Sequence, residues 1–396
     1  MKILHLIPSV GRESFGLGPV ALNLALEQMR LGCVVQIWSL DTPEDRQWAS
    51  ENSGFPVDLI KVFPTRGPRR WGYSPALEHA ITGLYGTAFD VIHQHGIWTA
   101  ISRATCAWRK ETSKPTCIVP HGSLKPWCLK KSTIKKKIAM VGYENRNFKD
   151  AACFHVLSAT EMQDCRDFGL HNDMAIIENG VSWSWLNAVG DGNRFRNNHN
   201  IDIDKPIVLF LSRITPIKGL PMLFEVLKQL EHQVKGWLFL IGGVDEFNHQ
   251  AECQQLVNAY GLSSIVRFIG PLFDDDKVDA FAAADLFILP SYSEGAPIVV
   301  LEALAAGVPV VTTKASPWSD LIKFQCGWWT DISSEGIAQA IKEATEKTRE
   351  ELSAMGENGK QLVSHKYMWQ QSAEKTIALY NWLLSRSCQP DFVCNE

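Results

Sequence analysis

The segment from residue 290 to residue 309 reads PSYSEGAPIVVLEALAAGVP and directly follows a short apolar run. An apolar run that ends at proline and glycine predicts a buried strand and a loop, and Pro297 and Gly307 then mark the start and the end of a helix. Glu294 is therefore expected in a strand-to-helix loop, and Glu302 inside the helix that follows. Both carboxylates would lie at the carboxyl end of a parallel sheet, where open α/β sheets bind their ligands.

Paired carboxylates in this position suit a ligand that carries sugars. One carboxylate accepts two hydrogen bonds from neighbouring hydroxyls, and each of the two sugars of a nucleotide-sugar offers such a pair. Without such surroundings, two glutamates at this spacing would be interpreted as a solvated loop residue and an ordinary helix-surface residue. The flanking strand, proline and glycine signals favour the binding site instead.

Cations for a diphosphate occur in the loop 211–219, LSRITPIKG, which follows another buried strand and precedes a helix near Pro221. The planar guanidinium of Arg213 and the compact ammonium of Lys218 both suit phosphate oxygens. Because the net charge of the chain is −4, local groups must hold an anion without help from the whole-protein field. The alternative interpretation of these two residues is a charged surface turn.

Short apolar runs alternate with longer helical stretches along the whole chain, which is typical of parallel sheets covered by crossover helices. The strands expected in the first half are Lys2–Ile7, Val34–Ser39, Val91–His95, Cys117–Pro120 and Cys153–Leu157. Those expected in the second half are Pro206–Leu211, Trp237–Ile241, Val266–Ile269, Leu286–Leu289 and Val308–Thr312. The pattern predicts an α/β protein with two doubly wound domains.

The domain boundary is expected in the segment 183–205, which is rich in Asn, Asp, Gly and Arg and has little apolar periodicity. This divides the chain into an N-terminal domain at 1–185, a second domain at 186–367, and a C-terminal helix with its tail at 368–396. The C-terminal helix is expected to pack back on the N-terminal domain.

Composition places the chain among soluble globular proteins, since 45% of its residues are apolar and 21% are charged. Its ten cysteines form no Cys-x-x-Cys pair and no Cys/His cluster at zinc spacing. We therefore expect reduced thiols in a cytoplasmic protein that has no signal peptide and no membrane span.

The Arg-x4-Lys-Gly loop at 213–219 and the Glu-x7-Glu element at 294–302 together resemble the retaining glycosyltransferases of family four. That resemblance implies the GT-B fold, in which two Rossmann-like domains face each other across a cleft, with the C-terminal helix crossing back toward the first domain. In the first half it rests on FGLGP at 15–19, DVIHQHGIW at 90–98, HGSLKPW at 121–127 and IENGV at 177–181. Further segments, SPW at 316–318 and CGWW at 326–329, resemble a bacterial subgroup that builds surface polysaccharides.

The resemblance implies a donor site in the second domain. Arg213 and Lys218 would hold the diphosphate of a nucleotide-sugar. Glu294 would contact hydroxyls of the transferred sugar, with Gly295 beside it, and Glu302 would contact the ribose. The family needs no metal, because cationic side chains and a helix N-terminus stabilise the leaving diphosphate.

The resemblance also implies residues in the first domain. His121 matches the family's histidine close to the transferred sugar and, with Glu294, is the catalytic candidate, although a lone histidine after a strand is often structural. Gly16 and Gly18 belong to a glycine-rich loop that would line the donor site. His93 and His95 share one strand, and one of them is expected in the core.

The function implied is the transfer of a hexose from a UDP- or GDP-linked donor to a hydroxyl of a glycan or lipid-linked acceptor, with the anomeric configuration retained. The biosynthesis of a surface polysaccharide such as lipopolysaccharide, capsule or exopolysaccharide is the implied setting. The chain departs from the family at Ala296 and Pro297, where Phe-Gly is common, and Pro297 has no N–H to give a diphosphate.

Other functions remain open at this point. Gly16-x-Gly18-x-x-Ala21 lies between a strand and a helix, and Asp41 follows the next strand, which is a weak dinucleotide-binding motif. It would fit an NAD(P)-dependent oxidoreductase, but it leaves Arg213 and the paired glutamates unexplained. A noncatalytic glycan- or nucleotide-binding protein and a nucleotide-sugar epimerase would use the same two-domain fold.

A lysine-rich segment in the first half suggests one more partner. Lysines crowd the stretch from Lys130 to Lys137, with Lys125 and Trp127 just before it. Such a segment would dock on anionic lipid at the inner face of the membrane, or on a lipid-diphosphate acceptor. The alternative is a solvated helix face.

Overall fold

The protein, described from a computed structural model over residues 1–14, 16–68, 71–385 and 388–395, consists of two compact units. Unit 1 comprises Met1–Gly180 together with Trp369–Glu396, and unit 2 comprises Val181–Met368. No helix in the described part of the chain combines the length and the apolar character that a membrane span needs.

The strands of both units are short and mostly buried. They are β1 (Lys2–Ile7), β2 (Val34–Ser39), β3 (Ile60–Val62), β4 (Val91–His95), β5 (Thr116–Val119), β6 (Cys153–Val156), β7 (Met174–Ile176), β8 (Ile207–Leu211), β9 (Leu238–Gly242), β10 (Val266–Gly270), β11 (Leu286–Leu289), β12 (Val310–Thr313), β13 (Gly327–Thr330) and β14 (Val393–Cys394).

Helices connect and cover these strands. They are α1 (Leu17–Arg30), α2 (Pro43–Ser53), α3 (Pro75–Thr82), α4 (Ile101–Thr112), α5 (Pro126–Lys130), α6 (Thr133–Ala139), α7 (Asn145–Lys149), α8 (Ala159–Asp167), α9 (Trp183–Leu186), α10 (Gly192–Asn198), α11 (Leu220–Gln229), α12 (Glu231–Val234), α13 (His249–Ala259), α14 (Asp274–Ala283), α15 (Ile298–Ala305), α16 (Asp320–Lys323), α17 (Ser334–Thr345), α18 (Arg349–Lys366) and α19 (Trp369–Ser385).

The sheet of unit 1 has the strand order β14-β7-β6-β5-β4-β1-β2-β3, and all its pairs are parallel except β14 with β7. The chain runs outward from β1 through β2 to β3, then returns to β4 on the other side of β1. The order therefore reverses between β1 and β4, and ligands of open α/β sheets bind at such a switch point.

The sheet of unit 2 has the order β10-β9-β8-β11-β12-β13 and is parallel throughout. Its order reverses between β8 and β11, so the loops that follow these two strands flank the switch point. Fully buried aromatic side chains fill the core on both faces of the sheet, among them Phe210, Phe224, Phe239, Phe281 and Phe287.

The ten strands predicted from sequence are present, with ends that differ by at most two residues. The short strands β3, β7 and β14, and also β13, were not predicted. The first three have only two or three residues, which is too few for a period-two pattern to stand out.

The structure corrects the predicted domain boundary. Unit 2 begins at Val181, where the sequence analysis placed the boundary after residue 185. The amide of Val181 donates to the carbonyl of Tyr367 at 2.9 Å, so the chain enters unit 2 beside the point at which it leaves. The polar segment 183–205, in which the boundary was expected, contains α9 and α10. Helix α10 is held by a hydrogen bond of 2.5 Å from Arg194 to the carboxylate of Asp279.

The C-terminal helix α19 belongs to unit 1, starting at Trp369 where the sequence analysis placed its beginning at 368. It packs along α1, and the side-chain amide nitrogen of Gln28 lies 2.8 Å from the hydroxyl of Thr376. In the second turn of α19, Lys375 forms an ion pair of 2.8 Å with Glu178.

Candidate active site

Lys218 and Glu294 meet at the switch point of unit 2. Lys218 ends a 3₁₀ turn (Pro216–Lys218) after β8, and Glu294 lies in the loop after β11. The ammonium of Lys218 donates to Oε1 of Glu294 at 2.6 Å, and the hydroxyl of Ser291 donates to the same oxygen at 2.5 Å. The structure thus brings together two of the residues predicted for the donor site.

Gly219 makes this close approach of two loops feasible. Its φ of +73° lies in the left-handed region, and a Cβ at this position would be 2.1 Å from the carbonyl oxygen of Pro290. Glycine is the residue that tolerates both constraints. The Lys-Gly pair recognised in the sequence therefore combines a cation with the turn that aims it.

Arg213 lies at the same edge of the sheet, because it follows β8 just after the strand ends. Its guanidinium donates to both carboxylate oxygens of Glu246, at 2.7 and 2.8 Å. Glu246 follows β9, the neighbouring strand, and the sequence analysis did not identify it. A carboxylate just after a strand adjacent to β8 was the available signal, but strand order is not readable from sequence.

Glu302 lies in α15, as predicted, and its carboxylate forms an ion pair of 2.6 Å with Lys277 of α14. The ammonium of Lys277 also lies 5.2 Å from the ring centroid of Trp185, whose indole N–H donates to the carbonyl of Glu302 at 3.0 Å. Lys277 is a cation that the sequence analysis missed, since it stands in an acidic helix turn, DDDK at 274–277.

The loop before α15 differs in one detail from the prediction. Pro297 is the N-cap of α15, and the helix proper starts at Ile298. The carbonyl of Pro297 accepts the N–H of Val300 at 3.2 Å. Gly295 is half-buried in this loop, between Glu294 and the helix N-terminus.

In unit 1, His121 follows β5 with φ at +50°, a left-handed conformation that is uncommon outside glycine and asparagine. Its turn is anchored by Glu161, whose buried carboxylate accepts the N–H of Gly122 and, at 2.7 Å, that of Leu157. Burial and the neighbouring His155 lower the pKa of His121 to about 3, so its imidazole is neutral at physiological pH.

Four more histidines are buried behind His121, and they are His5, His93, His95 and His155. One of His93 and His95 was expected in the core, and the structure buries both fully. Residues two apart on a strand point to the same face, and here the two ring centroids are 4.6 Å apart. Ring nitrogens of His5, His93 and His95 lie within 4.8 Å of one another, a grouping that could hold a metal ion.

Gly16 and Gly18 are placed differently from the predicted loop. Gly16 is the exposed N-cap residue of α1, whereas Gly18 already belongs to the first turn of that helix. A Cβ on Gly18 would lie 2.2 Å from the hydroxyl oxygen of Ser14, so the loop after β1 comes close to the helix there. Phe15, the departure noted within FGLGP, lies outside the described residues.

Asp41 has a structural use that the dinucleotide-binding interpretation did not foresee. Its carboxylate accepts the hydroxyl of Ser9 and the N–H of Val10, both at 2.6 Å. The residue that an oxidoreductase would direct to a ribose thus holds the loop after β1.

Glu144 is a further buried carboxylate near this end of the sheet, and the sequence analysis missed it. It accepts the N–H of Trp98 and the hydroxyl of Ser102, the latter at 2.9 Å. Burial raises its pKa to about 7, partly offset by these hydrogen bonds. The carboxyl group thereby fixes the loop that follows β4.

Models of known protein families match the two units of the chain separately. The family model described as a glycosyl transferase 4-like domain matches residues 15–180, and the model described as glycosyl transferases group 1 matches residues 191–362. The two matches adjoin at the boundary between the two units.

Individual relatives show how far the similarity extends. The GDP-mannose:cellobiosyl-diphosphopolyprenol alpha-mannosyltransferase of Komagataeibacter xylinus is 24% identical over 403 residues, which cover 98% of this chain and 94% of the relative. An uncharacterized glycosyltransferase of Methanocaldococcus jannaschii is 27% identical over 233 residues. That match covers 54% of this chain and 56% of the relative, so the chain spans only about half of the relative's length.

Solved structures share the fold. HepE of Anabaena, determined in complex with UDP and glucose, superposes with a TM-score of 0.77 at 20% identity, covering 96% of this chain and 99% of that one. With two parallel-sheet α/β units and family models that together span most of its length, the chain belongs to the group 1, family-four-like glycosyltransferases of the GT-B fold.

Proposed function

We propose that the protein is a retaining hexosyltransferase that moves a sugar from a nucleoside-diphosphate donor to a hydroxyl of a glycan or lipid-linked acceptor in surface-polysaccharide biosynthesis. The observation that carries the proposal is the contact between Lys218 and Glu294 at the switch point of unit 2. It puts a phosphate-binding cation beside a carboxylate that can accept sugar hydroxyls. The donor named for the K. xylinus relative and the ligands named for HepE are of this chemical class.

The cations would bind the diphosphate. Lys218 has three N–H donors and uses one on Glu294, so donors remain for phosphate oxygens. Arg213 is anchored by Glu246, which holds the guanidinium in place while its outer edge meets the ligand. The first turn of α15 adds amide groups and the positive end of a helix.

The carboxylates would bind the two sugars. Glu294, held by Lys218 and Ser291, accepts hydroxyls of the transferred sugar, with Gly295 leaving room beside it. Glu302, held by Lys277, accepts ribose hydroxyls. His121 of unit 1 is neutral and would accept a hydrogen bond from a hydroxyl of the transferred sugar.

Retention would follow from attack on the face that the diphosphate leaves. The bond between the anomeric carbon and the phosphate oxygen breaks, and a bond from that carbon to the acceptor oxygen forms. The acceptor proton passes to the departing phosphate oxygen, whose charge Arg213 and Lys218 stabilise. No carboxylate serves as a covalent nucleophile, in contrast to retaining hydrolases.

A thermal-shift screen tests the donor site. UDP, GDP, ADP, their sugar conjugates and NAD(P) are compared with and without EDTA, because a ligand of the native state raises its stability by mass action. We expect one nucleoside diphosphate to raise the Tm, EDTA to leave the shift unchanged, and Arg213→Ala and Glu302→Gln to abolish it. Lys314→Ala, at an exposed ion pair of unit 2, is the control and should keep the shift.

The outcome discriminates between functions. Stabilisation by NAD(P) alone would contradict the proposal. Loss of the shift in EDTA would contradict metal independence. With a donor identified, the anomeric configuration of the product by NMR decides the stereochemistry, and an inverted product rules out the retaining mechanism.

We also propose that unit 1 binds an anionic membrane surface through the helical segment 126–144. Four lysines are exposed there, Lys130, Lys131, Lys135 and Lys137, whereas Lys125 is buried and Lys136 donates to the carbonyl of Cys128. Ile134, Ile138 and Val141, spaced by four and three residues, are 75%, 65% and 91% exposed. Apolar side chains among lysines are what an interfacial helix presents to anionic lipid.

Vesicle co-sedimentation tests this surface. We expect binding to phosphatidylcholine vesicles that contain phosphatidylglycerol, weaker binding to phosphatidylcholine alone, and loss of binding in Val141→Asp. The matched control is Val189→Asp, an exposed valine of unit 2 that should leave binding unchanged. Equal, negligible binding to both vesicle types would contradict the proposal.

A further inference from the structure

A chain of hydrogen-bonding contacts runs from α19 through the interior of unit 1 to His121. The links are Thr376 to Gln28 at 2.8 Å, Gln28 to His5 at 2.7 Å, His5 to His95 at 2.8 Å and His95 to His121 at 3.2 Å. Each contact needs one donor and one acceptor. Two backbone carbonyls, of Ala373 beside Thr376 and of Ile177 on a side branch, therefore decide the direction of every bond.

One end of the chain is fixed by Ala373. The hydroxyl of Thr376 donates to the carbonyl of Ala373 at 2.9 Å, which uses its single proton. Toward Gln28 the hydroxyl oxygen can only accept. The side-chain nitrogen of Gln28 therefore faces Thr376, and its carbonyl oxygen faces His5.

A second branch, fixed by Ile177, leads to the same orientation. His155 must donate from Nε2 to the carbonyl of Ile177 at 2.8 Å, so its Nδ1 accepts from Nε2 of His93 at 3.3 Å. Nδ1 of His93 then accepts the hydroxyl proton of Tyr380 at 2.6 Å. Tyr380 can only accept from Gln28, at 3.3 Å, so the nitrogen of Gln28 must face it.

The orientation of Gln28 determines the protons on the remaining rings. Its carbonyl accepts from Nε2 of His5, so Nδ1 of His5 accepts from Nε2 of His95. Nδ1 of His95 in turn accepts from Nε2 of His121. In neutral rings, this sequence leaves Nδ1 of His121 without a proton.

The rings are neutral at physiological pH. Burial lowers the pKa of His5 and of His155 to about 4, and it lowers those of His93 and His95 well below their ordinary value, with neighbouring histidines adding to the effect. The direction of the hydrogen bonds from Thr376 to His121 is therefore set by donor and acceptor pairing and not by charge.

We propose that α19, acting through Gln28, fixes the tautomer of His121 with the proton on Nε2, so that Nδ1 is presented as a hydrogen-bond acceptor for a sugar hydroxyl. Gln28, Thr376 and Tyr380 are positioning residues in this arrangement. The tautomer stands on the contacts of unit 1 alone, whereas its use on a sugar rests on the proposed function.

The distances between the ring nitrogens favour this series of hydrogen bonds over a metal ion bound by the same histidines. The two nitrogens that join His5 and His95 are 2.8 Å apart, a hydrogen-bond length. Two ligands at about 2.1 Å from a tetrahedral zinc lie about 3.4 Å apart. Each nitrogen of the four rings behind His121 also has a hydrogen-bond partner within the described residues.

Nitrogen-15 NMR of the histidine-labelled full chain tests the tautomer directly, because protonated and unprotonated ring nitrogens differ widely in chemical shift. His121 is assigned from the signals lost in His121→Asn. We expect protonated Nε2 and unprotonated Nδ1. A protonated Nδ1 in the unmodified protein, or a stoichiometric zinc ion in its metal analysis, would overturn the proposal.

A matched pair of double variants tests the role of α19. Thr376→Val with Tyr380→Phe removes both acceptors of the Gln28 nitrogen, so the amide can turn and reverse the chain. Thr376→Ser with Tyr380→Phe keeps one acceptor. We expect Nδ1 of His121 to become protonated in the first variant only. The same tautomer in both folded variants would contradict control by α19.

Turnover separates this inference from the proposed function. The amide oxygen of asparagine mimics Nδ1, whereas that of glutamine reaches the position of Nε2. His121→Asn should therefore hydrolyse UDP-glucose or GDP-mannose about 10-fold faster than His121→Gln. A factor of this size corresponds to the net contribution of one hydrogen bond. Equal rates in these two variants would overturn the use of Nδ1. The expected tautomer together with full activity in both variants would leave the chain intact and refute a role for His121 in transfer.

Discussion

Lys218 and Glu294 each expose only 9% of their side chains, and their charged atoms are 2.6 Å apart. Taking two charges out of water costs free energy that the contact between them offsets, so a buried pair adds little by itself. Removing one partner is different, because it leaves an uncompensated charge in a site of low polarity. In the proposed function, the two residues would exchange this contact for contacts with the phosphate and sugar of the donor.

The burial of this ion pair predicts that removing either charge lowers the free energy of unfolding strongly and that the two effects are not additive. Lys218→Met and Glu294→Gln should each lower the free energy of unfolding of unit 2 by about 3 kcal/mol. The double variant should cost less than the sum, since it leaves no lone charge. Urea unfolding followed by peptide-resolved hydrogen exchange measures all three values.

The control for this cycle is the exposed pair of Lys314 and Asp331, at 2.7 Å. Lys314→Met should cost no more than about 1 kcal/mol, because water screens the pair. If Lys218→Met were as mild as Lys314→Met, the burial of the Lys218 pair would have no energetic consequence.

Among elements, the turn between the 3₁₀ helix that ends at Lys218 and α11 is tightly constrained by its neighbour. Gly219 has a left-handed backbone and packs directly on the carbonyl oxygen of Pro290 at the end of β11. Any Cβ there meets backbone, which cannot rotate away as a side chain can. The turn therefore sets the distance between the loops that carry Lys218 and Glu294.

Gly219→Ala compared with Gly261→Ala tests this constraint. Gly261 ends α13 with φ at +72°, nearly the same as Gly219 at +73°, but a Cβ there would have no heavy atom within 4 Å. Gly261→Ala should cost about 1–2 kcal/mol from backbone strain. Gly219→Ala should cost about 1–3 kcal/mol more from the clash, measured by urea unfolding.

Ligand binding should also differ between these two variants. Gly219→Ala should weaken the stabilisation of the protein by the proposed nucleoside diphosphate, whereas Gly261→Ala should not. Equal costs in the two variants, with unchanged ligand shifts, would show that the contact with Pro290 constrains nothing.

At the scale of the whole molecule, the buried histidines make unit 1 sensitive to acid. His5 and His155 have folded-state pKa values of about 4, below the ordinary value of 6.5, because burial disfavours the charged ring. Below pH 6.5 the unfolded chain binds protons that the folded one does not. Stability is therefore full above about pH 6.5 and falls as the pH drops from there toward 4.

We expect the free energy of unfolding of unit 1 to fall by about 1 kcal/mol for each of these two rings between pH 7 and pH 5.5. Hydrogen-exchange protection, corrected for intrinsic rates at each pH, measures it. His155→Gln should remove one such increment, whereas His79→Gln, at an exposed histidine, should leave the pH dependence unchanged. An unchanged profile in His155→Gln would contradict the assignment.

Much of the fold and part of the site could be predicted from sequence, for a local reason. A buried parallel strand needs an apolar run, and a loop at its end needs glycine or proline, so β1, β8 and β11 and the loops that follow them are readable. Lys218 and Glu294 could be assigned to one site because both follow such strands. The very short strands β3, β7 and β14 carried too few residues for a pattern.

Local sequence patterns were enough to predict two α/β units, the family, and the residues at the ends of β8 and β11. The tertiary structure alone decided which distant residues meet: Glu246 with Arg213, Lys277 with Glu302, and five histidines from β1, β4, β6 and the end of β5. These contacts depend on strand order and on the place of α19. Neither leaves a local trace in the sequence, because residues far apart in the chain become neighbours only when the sheet forms.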